Sequence, residues 1–190
     1  NLAPPPFKIR SEDIFFVKTP HHHEDWGKKI LKAWPNIGED AAQAALNEFI
    51  SSAKAGLMGY EKKRSRADIK LSTARLSPHL RFGEISPRSV YWAVKEKLLD
   101  RAITKTFLRR LYWRDLAYFH NISFPEMSDI SIRKHYDETK WTSVSSNPGY
   151  SQLQAWKAGK TGFPIVDAGM RELHATGWMN QSVRMVVASF

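Results

Sequence analysis

Cysteine is absent from the 190 residues, and so is any long apolar run. Without thiols this segment holds no disulfide, thiolate zinc site, iron–sulfur cluster or cysteine nucleophile. No stretch approaches the roughly 20 apolar residues that a membrane span needs. The opening residues, Asn1-Leu2-Ala3-Pro4-Pro5-Pro6, lack the apolar core of a signal peptide. Apolar alternation of period two is missing as well, so no half-buried strand is predicted. Asp115, Asp129, Asp137 and Asp167 show no paired spacing of an acid/base dyad, and no two histidines stand at helical metal-ligand spacing. Acid is scarce relative to base, with 19 Asp and Glu against 29 Lys and Arg, a formal charge of +10. That balance points to a polyanionic partner, nucleic acid first. A starting Met is lacking, and the last residues, Ala188-Ser189-Phe190, fall inside an apolar pattern. We therefore expect the natural chain to extend at both ends.

What is present reads as helix. Apolar residues make up 42% of the chain, enough for one domain with its own core. Residues 1–38 read as an irregular connector, with prolines at 4, 5, 6, 20 and 35 and a solvated His21-His22-His23 cluster. From Glu39, Ala42, Leu46, Phe49 and Leu57 recur at helical spacing, with Glu39 and Asp40 in the first turn. Gly56 and Gly59 are expected to break that helix, and a basic stretch from Tyr60 to Lys70 follows. Further helices are predicted over Pro87–Asp100, Ile103–Asn121, Tyr150–Ala158, Pro164–Thr176 and Asn180 to the end. Ser123–Pro148 reads as loop. The fold class is all-α.

One run stands out, from Leu71 to Arg88. It combines hydroxyls, arginines and two Ser-Pro pairs, Ser77-Pro78 and Ser86-Pro87. A serine before proline suits a helix start, with the hydroxyl as cap and proline at the first helical position. Backbone N–H groups at such a start attract anions. The helix after Ile103 places Arg110 and Arg114 on one face with Phe107 and Ala117, and Trp113 adjoins Arg110. Arginines beside an indole suit a phosphate together with a flat ring, or simply a solvated face whose Trp packs inward. In the last helix Gln181, Arg184, Met185 and Ala188 share a stripe, one turn after Trp178. Gly159-Lys160-Thr161 resembles the end of a phosphate-binding P-loop, but Gln154 stands where a glycine belongs and no strand precedes it. Asn121-Ile122-Ser123 and Asn180-Gln181-Ser182 match glycosylation sequons, the second inside a predicted helix.

Four motifs, taken in order, carry a family resemblance. Thr73-Ala74-Arg75-Leu76-Ser77-Pro78-His79-Leu80-Arg81-Phe82-Gly83-Glu84-Ile85-Ser86-Pro87-Arg88 resembles the flavin loop of the DNA photolyase and cryptochrome family. Tyr112-Trp113-Arg114-Asp115 is similar to its Trp-Arg-acid helix. The stretch from Trp156 to Leu173 resembles its most recognisable segment, and Gly177 to Met185 the turn and helix beyond. The likeness covers residues 39–190.

The resemblance implies the first part of a helical FAD-binding domain at 39–190. Residues 1–38 would then be a linker after an α/β antenna domain that holds a folate- or deazaflavin-type chromophore. It implies that Tyr60, Thr73, Ala74, Arg75, Leu76 and Ser77 hold the FAD phosphates, with Phe107, Arg114 and Arg184 near the flavin. Arg64, Arg110, Trp113, Arg114 and Ala117 would touch DNA. Trp113, Gln181, Ser182 and Met185 would line the lesion pocket, and Trp141 would be the surface end of an electron-transfer chain of tryptophans. The partner implied is UV-damaged DNA, acted on by a monomer away from membranes. The reaction implied is blue-light-driven splitting of cyclobutane pyrimidine dimers; the alternative is a cryptochrome-type photoreceptor that keeps FAD without repair. Three positions depart from the photolyase pattern: Arg110 replaces an acid, Gln181 an Asn, and Ser182 an Arg. Met185 keeps the pattern of dimer photolyases.

Overall fold

The computed structural model describes residues 25–52, 55–97, 99–140 and 142–190. Among these every regular element is helical, as the missing period-two alternation predicts. Nine α-helices occur in chain order: α1 Asp25–Lys32, α2 Glu39–Ser51, α3 Gly56–Lys63, α4 Ser77–Phe82, α5 Pro87–Lys95, α6 Arg101–Ser123, α7 Gly149–Lys157, α8 Pro164–Thr176 and α9 Gln181–Ser189. Single 3-10 turns at Lys70–Ser72, Pro125–Ser128 and Lys134–Tyr136 complete the set.

Local chemistry sets most boundaries. The Glu39 and Asp40 carboxylates sit in the first turn of α2, where they complement the positive end of the helix. Ser86 Oγ caps α5 by accepting from Ser89 N at 2.9 Å. Asp100 caps α6 through Ala102 N, and Asn180 caps α9 through Ser182 N, both at 2.9 Å. Gly177, in the left-handed region (φ 69°), closes α8.

Several expectations are corrected. Asp25–Lys32, read as part of an irregular connector, forms α1, and it packs on α8. Residues 1–24, including the three histidines, lie outside the described residues. Gly56 and Gly59 do not end helical structure. Gly56 begins α3, with φ 57° and so little room that a Cβ would lie 2.1 Å from Phe49 O, while Gly59 sits inside the helix. Ser77 supplies no side-chain cap, because α4 starts one residue earlier in the chain than that role requires. The helix from Pro87 ends at Lys95 rather than Asp100.

Two apolar clusters form the core. The larger joins Leu46, Phe49 and Ile50 of α2 to Leu57 and Tyr60 of α3, Val90 and Val94 of α5, and Phe107 and Leu108 of α6. The smaller joins Val166 and Met170 of α8 to Met179 and to Val183 and Val187 of α9. Here Gly169 allows close approach, since a Cβ would lie 2.6 Å from Val183 Cγ1 and 3.0 Å from Val187 Cγ2. The buried residues of α6 lie between Thr104 and Leu108, and its later turns are largely exposed.

Candidate cofactor and DNA site

The run from Thr73 to Ser77 links the 3-10 turn at Lys70–Ser72 to α4. Leu76 anchors it in the larger core cluster, and Ala74 packs against that cluster. Arg75 has φ 49°, a left-handed conformation that costs a non-glycine residue on the order of 1 kcal/mol and tends to mark functional loops. Its guanidinium lies over the Trp178 ring, 4.2 Å from the centroid. Thr73, Ala74 and Arg75 line a cleft of about 480 Å³ shared with Trp34, Lys70 and His79. Thr73 Oγ1 and Arg75 Nε are buried and have no hydrogen-bond partner among the described residues. Buried polar atoms left without a partner are costly, so this arrangement fits a ligand rich in acceptor oxygens. Ser77 is exposed.

A second group lies at the junction of α3 and α6. The Phe49, Tyr60 and Phe107 rings pack mutually, with centroids 5.0–5.9 Å apart. Burial pushes the Tyr60 phenol above its ordinary pKa, against the opposing pull of the nearby Arg110 and Arg64 charges. Arg64 Nε and Arg110 Nε are the other two buried side-chain atoms without a partner among the described residues. Asn180, 1% exposed, donates to Arg64 O at 3.4 Å. The turn before α9 therefore meets both groups, Trp178 under Arg75 and, two residues on, Asn180 on the Arg64 carbonyl.

The outer face of α6 carries the remaining predicted DNA contacts. Trp113 is 58% exposed and bears Arg110, 5.7 Å from its centroid, so it does not pack inward. Arg114 lies over Tyr118 at 4.8 Å and pairs with Asp115 at 3.3 Å. Ala117, Gln181 and Met185 are exposed, and Ser182 is half-buried. Arg184 donates to Met179 O at 2.9 Å, close to the turn that presents Trp178. Phe107 is buried with Phe49 and Tyr60. Trp141 lies outside the described residues.

The segment from Trp156 to Leu173 holds itself together. Asp167 accepts from Thr161 N (2.7 Å), Thr161 Oγ1 (2.6 Å) and Gly162 N (3.0 Å). Those bonds, the Thr161 hydroxyl first, hold its pKa below the usual carboxylate range. Arg171 donates to Gly159 O at 2.8 Å. The Thr161 and Gly162 N–H groups, at the end of the P-loop-like run, are thus taken by a carboxylate of the chain itself. No local sequence signal marks Trp34 or Asp167 as part of the site; for Asn180 the one signal is its place just before the last helix, where an Asn caps.

Among the described residues the domain is all-helical, and its half-buried arginines, with unpartnered Nε atoms, lie beside stacked and exposed aromatic rings, an arrangement that suits an anionic, ring-bearing ligand. Residues 107–190 match the family described as the FAD binding domain of DNA photolyase. The chain is 39% identical over 163 residues to the deoxyribodipyrimidine photo-lyase of Alkalihalophilus pseudofirmus, covering 86% of this chain and 32% of that protein. It is 34% identical over 201 residues to cryptochrome-1 of Arabidopsis thaliana, covering 98% of this chain and 28% of that one. The crystal structure of a bacterial class III photolyase from Agrobacterium tumefaciens matches with a TM-score of 0.76 at 37% identity, over 87% of this chain and 33% of that one. The chain belongs to the DNA photolyase and cryptochrome family, and it spans about a third of the length of these relatives.

Proposed function

We propose that this chain is the first part of the helical FAD domain of a photolyase that splits cyclobutane pyrimidine dimers in UV-damaged DNA. In this reading residues 39–190 belong to the cofactor domain, and residues 1–38 lead into it from an α/β antenna domain with its own folate- or deazaflavin-type chromophore. The observation that carries the reading is the set of unpartnered buried atoms. Thr73 Oγ1, Arg75 Nε, Arg64 Nε and Arg110 Nε all belong to residues that the family likeness assigns to cofactor or DNA.

Thr73 and Arg75 would donate to the cofactor diphosphate, with the Trp178 ring holding the guanidinium in place. The group these residues would hold, reduced FAD, would supply light-driven electron transfer to the cyclobutane ring, with the electron returned once the ring has split. Tyr60 would be kept neutral by burial, presenting an O–H rather than a charge. Arg64 and Arg110 would engage DNA from beside it. Trp113, exposed on α6, would stack against an extruded pair, and a damaged pair costs less to extrude. Gln181, Ser182 and Met185 would line the lesion side, and Arg114 and Arg184 would approach the flavin. Trp141 would pass electrons inward from the surface.

The test is a repair assay on the full-length protein with reduced flavin and an oligonucleotide carrying a cyclobutane thymine dimer. Light-dependent loss of the dimer is expected. A protein that binds and photoreduces FAD yet leaves the dimer intact is instead a cryptochrome-type receptor.

A further inference from the structure

We propose that Trp34 is a positioning residue for the cofactor cleft, acting on Arg75 through the turn between α8 and α9. The inference rests on the reading above that Arg75 faces the cofactor phosphates.

Trp34 follows α1 and touches two elements distant from it in sequence. Its indole Nε1–H donates to Thr176 O at 2.7 Å, a carbonyl at the end of α8. Its ring meets the buried His79 edge-on, with centroids 6.5 Å apart, and His79 Nδ1 pairs with Glu84 Oε2 at 2.5 Å. Trp34 and His79 line the same cleft as Thr73 and Arg75. Trp34 therefore spans the cofactor loop on one side and the α8–α9 turn on the other.

The turn passes that contact on. Thr176 Oγ1 donates to Glu172 O at 2.8 Å and accepts from Trp178 N at 3.2 Å. One residue thus receives Trp34 on its carbonyl and holds the Trp178 backbone on its hydroxyl. At Gly177 (φ 69°) a Cβ would lie 3.1 Å from Ile30 Cγ2, so α1 rests directly on the turn. Trp178 in turn carries the Arg75 guanidinium. A planar guanidinium keeps its direction only while its stacking partner keeps its own. Losing the indole N–H leaves the Thr176 carbonyl without this donor and frees the turn to shift under Arg75.

A double-mutant cycle in the full-length protein tests this, with apoprotein titrated by FAD and thermal unfolding followed in parallel. Trp34→Phe keeps a ring against His79 and removes the donor. It should weaken FAD binding roughly five- to tenfold, the scale of one net hydrogen bond, with an apoprotein that still unfolds cooperatively at a somewhat lower Tm. Arg75→Ala should weaken binding further, and adding Trp34→Phe to it should cost nothing more. Thr176→Val removes the next link and should behave as Trp34→Phe does, so it carries the test if the Trp34 variant does not fold. Unchanged FAD affinity, or losses that simply add to that of Arg75→Ala, overturns the proposal while leaving the proposed function intact. A wild-type protein that takes up no FAD overturns both.

Discussion

At the scale of single residues, the site is marked by polar atoms that folding leaves unpaid. Thr73 Oγ1 is buried without a partner among the described residues, and exchanging its hydroxyl for a methyl keeps the side-chain shape. Thr73→Val should therefore hold or raise the apoprotein Tm while weakening FAD binding, read by calorimetry and flavin titration on the full-length protein. A lower Tm with unchanged FAD affinity would show that the hydroxyl serves the fold. Asp167 is the opposite case, a carboxylate whose bonds to Thr161 and Gly162 lower its pKa. A carboxyl with a folded pKa below its unfolded value, about 3.9, stabilises the fold above that value. The contribution fades as pH falls through the folded pKa. Asp167→Asn should thus be less stable than wild type at pH 7, with the gap narrowing as denaturation is repeated below pH 4. A gap independent of pH would contradict the assignment.

Among elements, helix existence was legible and helix context was not. Ala42, Leu46 and Phe49 repeat with the period of α2 and are all buried. Pro164–Thr176 begins at a proline and stops just before Gly177, and α8 has those bounds. Misreadings fell where local signals conflict with packing. Prolines around α1 suggested irregular chain, but Trp34 and Ile30 dock the segment on the α8–α9 turn, and that packing lies about 140 residues away in sequence. Gly59 costs a helix only about 1 kcal/mol relative to alanine, and the burial of Leu57 and Tyr60 outweighs it. The α8–α9 contact gives a direct check. Gly169→Val would push a branched side chain into Val183 and Val187. It should cost about 1–3 kcal/mol by overpacking, measured by urea unfolding. Stability equal to wild type would mean that the two helices separate readily.

On the scale of the whole molecule, an excess of ten positive charges and an α6 surface bearing Arg110, Trp113 and Arg114 suit a phosphate backbone beside exposed bases. Phosphate contacts release counterions, so the affinity of the full-length protein for a dimer-containing oligonucleotide should fall linearly on a log–log plot against salt. Arg64→Ala should make that slope shallower in a fluorescence-anisotropy titration, by about one contact. An unchanged slope would remove Arg64 from the DNA side and leave it to Tyr60 and the cofactor.

The sequence by itself determined the all-α class, the positions of most helices and the family, because helical periodicity, capping residues and contiguous motifs are local properties of the chain. It also marked the residue types of the site. Only the tertiary structure decided which of them meet. Arg75 on Trp178, Arg110 on Tyr60, Asn180 on Arg64 and Trp34 on Thr176 join residues between 50 and 142 positions apart. Such pairings arise from how the helices pack, and no spacing along the chain encodes them.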